Sequence, residues 1–187
     1  MRSAENPYTV TFVCSGNICR SPIAEYVVRD LLRREGLADL VRVDSAGIGD
    51  WHVGHRADRR ALAVLREHGL DASGHRARQL DPDELGTTDL VVAMDGGHAR
   101  ALQRYAQRHH QPAHVRMMRS FDPRLRQDQS GGRFDGFPPE LDVADPYYDE
   151  DAAFRNVLEQ VRSAAPGLVA EVRRVLSGEP SPPPDRA

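Results

Sequence analysis

Short unbroken apolar runs alternate along the chain with longer segments in which apolar residues recur every three or four positions. Strands interleaved with helices give this pattern, and it predicts a parallel sheet covered on both faces. Residues 8–14 (YTVTFVC) are a β-branched and aromatic run and form the first strand. A helix follows from Ser21, with Pro22 suited to its first turn and the Ser21 hydroxyl available to cap it. Ile23, Val27 and Leu31, flanked by Ala24, Val28 and Leu32, make its apolar stripe, and Gly36 ends it.

The same alternation predicts a second strand at residues 40–44 (LVRVD) and a second helix at 57–68. A third strand follows at 90–94 (LVVAM), a third helix at 99–108 and a fourth strand at 115–118. From 149 to 176 the positions Phe154, Val157, Leu158, Val161, Ala165, Leu168, Val172 and Val175 keep helical spacing. Pro166 is expected to kink or split that helix, because it removes a backbone donor. Residues 122–140, rich in Gly, Pro, Asp and Arg, read as a long loop, and 178–187 (GEPSPPPDRA) as a disordered tail. The expected architecture is a three-layer α/β sandwich with a central four-stranded parallel sheet.

The chain has 187 residues, enough for one domain with a substantial core. No apolar run approaches the roughly 20 residues of a membrane helix, so no membrane association is expected. The first residues lack a signal-peptide pattern, and two cysteines cannot staple a chain of this length, so a reducing, cytoplasmic compartment is expected. A net charge of −3 gives no general attraction to nucleic acid. All 25 basic residues are arginine, which removes lysine Schiff-base chemistry and any phosphate loop that depends on lysine.

The informative stretch is Cys14-Ser15-Gly16-Asn17-Ile18-Cys19-Arg20-Ser21, lying between a strand and a helix start. In open α/β sheets ligands bind at that end of the strands. Seven residues from Cys14 to Arg20 can wrap an anion. Gly16 permits backbone angles that other residues avoid, and Asn17 tolerates the left-handed region. Successive N–H groups in such a loop form an anion nest, and the following helix adds its positive end. Arg20 offers a planar fork that matches two phosphate oxygens. The same field favours the thiolate of Cys14, since a free thiol is only a few per cent ionised at neutral pH. A nucleophile beneath a phosphate-shaped hole defines a cysteine-dependent phosphatase.

At these residues the sequence resembles the low-molecular-weight protein tyrosine phosphatase family, bacterial type, over roughly residues 8–176. The likeness recurs at Asp44-Ser45-Ala46-Gly47, at Asp50-Trp51-His52-Val53-Gly54, at residues 75–80 (HRARQL), at Ala93-Met94-Asp95 and at Asp145-Pro146-Tyr147-Tyr148. It implies one phosphatase domain over residues 1–177, acting as a monomer on phosphotyrosine-containing proteins with no cofactor and no metal. Cys14 would be the nucleophile, Arg20 the transition-state stabiliser and Asp145 the general acid and base. Ser15, Gly16, Asn17, Ile18, Cys19 and Ser21 would form the phosphate loop, supported by Ser45 and His75. Trp51, Tyr147 and Tyr148 would wall the substrate ring. The resemblance also implies that Cys19 is a redox partner able to form a disulfide with Cys14.

The loop at 122–143 is longer than usual for the family, and Arg124, Arg126 and Arg133 with Gly131-Gly132 suggest an arginine-bearing segment near the mouth. Two relatives of the same fold are alternatives. Protein arginine phosphatases carry threonine where this chain has Ile18, whose apolar side chain suits a phenyl ring better than a guanidinium. Arsenate reductases need further cysteines, and none follows Cys19. Among other classes, no G-x-S-x-G elbow supports a serine hydrolase, and Pro112 separates His110 from His114 as metal ligands. A non-catalytic phosphate-binding module would need neither Cys14 nor Asp145.

Overall fold

The computed structural model describes residues 3–126 and 136–179, with the backbone alone at Arg126. Four strands, β1 (Tyr8–Cys14), β2 (Val41–Gly47), β3 (Leu90–Ala93) and β4 (Val115–Met117), form one parallel sheet in the order β2-β1-β3-β4. Five helices accompany it: α1 (Arg20–Arg34), α2 (Arg59–Glu67), α3 (Gly96–Arg108), the single turn α4 (Pro123–Arg126) and α5 (Asp151–Leu176).

The central strands bury both faces, which is why their sequences read as unbroken apolar runs. Val10, Phe12 and Cys14 of β1, with Leu90 and Val92 of β3, pack into the cluster made by α1, α2 and α5. Val13, Val91 and Ala93 point the other way, into a second cluster with Ala99, Leu102 and Ala106 of α3. These are the three expected layers. The sheet order places the reversal between β1 and β3, so the turn after β1 opens beside the turn after β3.

Several boundaries differ from the sequence reading. Strand β2 runs on to Gly47 because it pairs with β1 in register as far as Cys14. Helix α3 begins at Gly96, capped by the Asp95 carboxylate, which accepts from the His98 N–H at 2.8 Å. Helix α1 begins at Arg20, and Ser21 does not cap it; the capping position is Cys19, with no side-chain bond. Helix α5 is not split by Pro166. Pro166 and Arg162, whose carbonyl loses its donor, both lie on the exposed side, where water can replace the missing bond. Meanwhile Val161, Ala165 and Leu168 stay in the core on either side.

The expected long loop has ordered flanks. Phe137, Leu141 and Val143 are buried, and Val143 N–H donates to the Met94 carbonyl at 2.8 Å. That bond leads the chain across the end of β3 towards Asp145. Arg124 pairs with the buried Asp122 carboxylate at 3.0 Å, beside its own turn. The remaining residues singled out there, Gly131, Gly132 and Arg133, the Arg126 side chain, and residues 180–187 of the tail lie outside the described residues. Among the described residues no helix is long and apolar enough to cross a membrane.

Candidate active site

The turn between β1 and α1 is held with its carbonyls facing outward. Cys14 C=O accepts from Ile48 N–H at 2.9 Å and Ser15 C=O from Gly49 N–H at 3.0 Å. Asn17 C=O is 2.8 Å from the His75 ring Nε2, and Ile18 C=O accepts from Asp58 N–H at 2.8 Å. In a planar trans peptide the next N–H points opposite to the carbonyl. The amides of Ser15, Gly16, Ile18 and Cys19 are therefore turned to the inside of the loop. An anion placed there meets a ring of donors and the start of α1.

Asn17 holds the turn from within. It is the loop residue with left-handed backbone, at φ 57°, and it is fully buried. Its amide donates to Ser21 Oγ at 2.9 Å and to Ser45 Oγ at 2.7 Å, and its carbonyl oxygen accepts from Arg78 N–H at 3.0 Å. Gly16, in contrast, has no positive φ. Its role is room, because a Cβ there would come within 2.6 Å of the His52 ring. Ser45 hands its own proton on to Glu25, a buried carboxylate that also faces the His75 ring at 3.8 Å.

Ser21 Oγ lies 3.0 Å from Cys14 Sγ. The Ser21 oxygen accepts from Asn17 at 2.9 Å, and its one hydrogen has two acceptors in reach, the Ala46 carbonyl at 3.4 Å and the nearer sulfur, where a thiolate at Cys14 can only accept it. This contact explains why Ser21 does not cap the helix. Cys14 is 3% exposed, at the bottom of a cleft whose walls include Ile18, Trp51, His52, Asp145, Tyr147 and Tyr148. Tyr147 and Tyr148 pack edge to face with centroids 4.9 Å apart, and Tyr147 also packs against His52. Trp51 is largely exposed and lies over Gly49, where a Cβ would collide with its ring.

The Arg20 guanidinium is buried and divided between two carboxylates. NH1 donates to Asp95 at 2.8 Å and to the Val143 carbonyl at 3.2 Å, while NH2 donates to Asp145 at 2.8 Å. Asp95 is held in turn by His98, whose ring Nδ1 lies 3.0 Å away and whose Nε2 reaches Ser15 Oγ at 2.9 Å. Burial by itself would push the Asp95 carboxyl up. The His98 contacts and the Arg20 charge outweigh it and hold the group well below the usual carboxylate range. Cys19 behaves in the opposite sense: burial, then the charges of Asp58 and Cys14, push its thiol well up, against the weaker pull of Arg60.

All of the expected site residues gather here. Cys14, Ser15, Gly16, Ile18, Cys19, Arg20, Trp51, Asp145, Tyr147 and Tyr148 line the cleft, while Asn17, Ser21, Ser45 and His75 stand behind the loop. Cys14 and Cys19 are both free. The sequence reading missed Asp95, His98, Glu25 and His52 as parts of the site. Asp95 was open to detection as a cap, being an acid between an apolar strand and a helix start. Glu25 carried no signal, since an acid on a helix reads as solvent-facing.

A thiol under an amide-lined hole, with a guanidinium and a carboxylate at its mouth, is the arrangement of a cysteine-dependent phosphatase. The sequence matches the family model described as low molecular weight phosphotyrosine protein phosphatase over residues 9–177, and the chain belongs to that family. It is 47% identical over 171 residues to a low molecular weight protein-tyrosine-phosphatase of Streptomyces coelicolor, covering 91% of this chain and 97% of that protein. The crystal structure of YfkJ from Bacillus subtilis superposes with a TM-score of 0.75 at 31% identity, over 90% of this chain and 96% of that one. A drosophila arginine phosphatase superposes with the same TM-score at 25% identity, over 88% and 97%.

Proposed function

We propose that the chain is a protein tyrosine phosphatase that works through a cysteinyl-phosphate intermediate on Cys14, with residues 1–177 as one catalytic unit. The observation that carries this reading is the meeting of Cys14, Arg20 and Asp145 in a single cleft. In the first step the Cys14 sulfur attacks phosphorus and the bond from phosphorus to the tyrosyl oxygen breaks. Asp145 gives its proton to the departing oxygen, which as a phenolate with pKa near 10 leaves poorly without it. Arg20 and the inward amides hold the equatorial oxygens, where charge accumulates. In the second step Asp145 takes a proton from water, the water oxygen bonds to phosphorus, and the phosphorus–sulfur bond breaks to release inorganic phosphate.

The fold is shared with an arginine phosphatase, so selectivity must come from the walls. Ile18, Trp51 and Tyr147 present apolar and aromatic surface to a flat ring. The test compares phosphotyrosine and phosphoarginine peptides with the wild type and Cys14→Ser. Turnover of phosphotyrosine by the wild type, blocked by vanadate and absent in Cys14→Ser, supports the assignment. Faster turnover of phosphoarginine overturns it.

A further inference from the structure

The chemistry assigned to Asp145 needs its carboxylate at a fixed place, yet the segment that carries it has no regular structure. What ties that segment down is an arginine from another part of the chain. Arg60, in the first turn of α2, donates from NH1 to the Asp149 carbonyl at 2.7 Å and from NH2 to the Tyr147 carbonyl at 2.9 Å. Its Nε reaches Asp58 Oδ1 at 3.0 Å, and NH2 also reaches Asp58 Oδ2 at 2.9 Å. Its flat face lies on Phe154, a fully buried ring of α5, with 4.4 Å from the guanidinium carbon to the centroid.

These contacts join two loops. Asp58, which orients Arg60, also donates its backbone N–H to the Ile18 carbonyl of the phosphate loop. The path from Ile18 through Asp58 and Arg60 to Tyr147 and Asp149 therefore spans the cleft from its floor to the segment bearing Asp145. Only a planar fork can serve a carboxylate and two separate carbonyls at once while stacking on a ring; an ammonium cannot. Arg60 does not line the cleft.

We propose that Arg60 is a positioning residue for proton transfer: it latches the Asp145 loop to α2 without touching the substrate or the reacting atoms. The proposal rests on the assignment of Asp145 as general acid and predicts a signature specific to that step. An aryl phosphate with an acidic leaving group needs no proton, whereas a tyrosyl ester does. Loosening the latch therefore slows formation of the cysteinyl phosphate only from the second kind, a difference read in kcat/KM because hydrolysis of the shared intermediate follows that step, and small misplacement of a catalytic group is costly.

The experiment measures kcat/KM, which reports the step that expels the leaving group, for Arg60→Ala, Arg60→Lys and Asp145→Ala on aryl phosphates whose leaving-group pKa runs from about 7 to about 10. Arg60→Ala is expected to lose about tenfold on phosphotyrosine and less than about twofold on the most activated ester, with vanadate affinity kept. Arg60→Lys keeps the charge and loses the planar fork that lies over Phe154. It should show the same trend at smaller amplitude, and it decides the matter if Arg60→Ala fails to fold. Equal losses across the series, or none, in both Arg60 variants while Asp145→Ala keeps a steep dependence overturn the latch alone. A flat series in Asp145→Ala overturns the acid assignment and the latch with it.

Discussion

Arg20 NH2 and Asp145 Oδ2 meet at 2.8 Å across 125 residues of chain, so the phosphate-binding cation and the proposed acid neutralise each other. On the proposed mechanism, a phosphate dianion bound by Arg20 would compete with Asp145 for that nitrogen and release the carboxyl for the departing oxygen. Asp95 accepts from NH1 at 2.8 Å and anchors the other side of the guanidinium. Asp145→Ala is therefore expected to lower kcat on phosphotyrosine by roughly 10²-fold or more. Inorganic phosphate should bind that variant at least as tightly as wild type in calorimetry. Weaker binding would contradict the competition.

Cys14→Ser and Arg20→Ala should fail in different ways. The serine variant loses turnover but keeps the amide ring and Arg20, so it still binds vanadate or phosphate. Arg20→Ala loses the binding itself, and it also strands Asp95 without its partner. Equal phosphate affinities in the two variants would argue against Arg20 as the anion's main side-chain ligand.

Asn17 combines a left-handed backbone with three side-chain hydrogen bonds. Removing the amide should cost about 1–3 kcal/mol, because buried partners lose their donor or acceptor. Left-handed backbone costs alanine roughly 1–2 kcal/mol and glycine nothing, an advantage partly offset by the greater freedom of unfolded glycine. Asn17→Gly is thus expected to be more stable than Asn17→Ala by roughly 1 kcal/mol. Urea unfolding of both would reveal it, and the reverse order would remove backbone strain as the reason for asparagine here.

Asp95 and Cys19 are two of the groups that make stability depend on pH. Asp95 is charged more readily in the folded chain than in the unfolded one, where its ordinary value is 3.8. It stabilises the fold above that pH and loses the contribution as pH falls below it. Cys19 holds its proton more tightly when folded than at its ordinary value of 9.0. Its contribution is complete below pH 9 and is lost as pH rises beyond. Asp95→Asn should flatten the acid limb of an unfolding-midpoint profile, and Cys19→Ala the alkaline limb. A profile unchanged by either substitution would rule out that residue as the cause.

The Cys19 thiol also bears on oxidation. A disulfide with Cys14 would form when Cys19, as thiolate, attacks the sulfur of a Cys14 sulfenic acid and expels hydroxide, which takes a proton from solvent to become water. Burial keeps Cys19 protonated, so protection after peroxide treatment is expected to be faster at pH 9 than at pH 7. Thiol counting would show it. Irreversible loss of Cys14 at both values, with no disulfide, would exclude Cys19 as the partner.

The strands and main helices were legible because each rests on a periodicity within a dozen residues. The turn from Cys14 to Ser21 was legible for a related reason: a strand end, a left-handed asparagine and a helix start lie within eight residues. The longer reach of β2 was not, because it follows from pairing with β1. Nor could Pro166 be judged from its own segment. Whether a proline breaks a helix depends on which side of it meets water and how firmly the opposite side is packed.

The chain's local chemistry by itself pointed to the proposed nucleophile, anion cradle and cation, since backbone geometry over a few bonds turns those amides inward. Only the tertiary structure decided what holds them. Asp95 and Asp145 reach Arg20 from 75 and 125 residues away, and Glu25 is buried behind Asn17 and Ser45. Arg60 bonds the carbonyls of Tyr147 and Asp149, 87 and 89 residues on. Pairings at such separations leave no spacing to read. The pairings of Arg20 exist because the order of strands in the sheet brings the turns after β1 and β3 side by side.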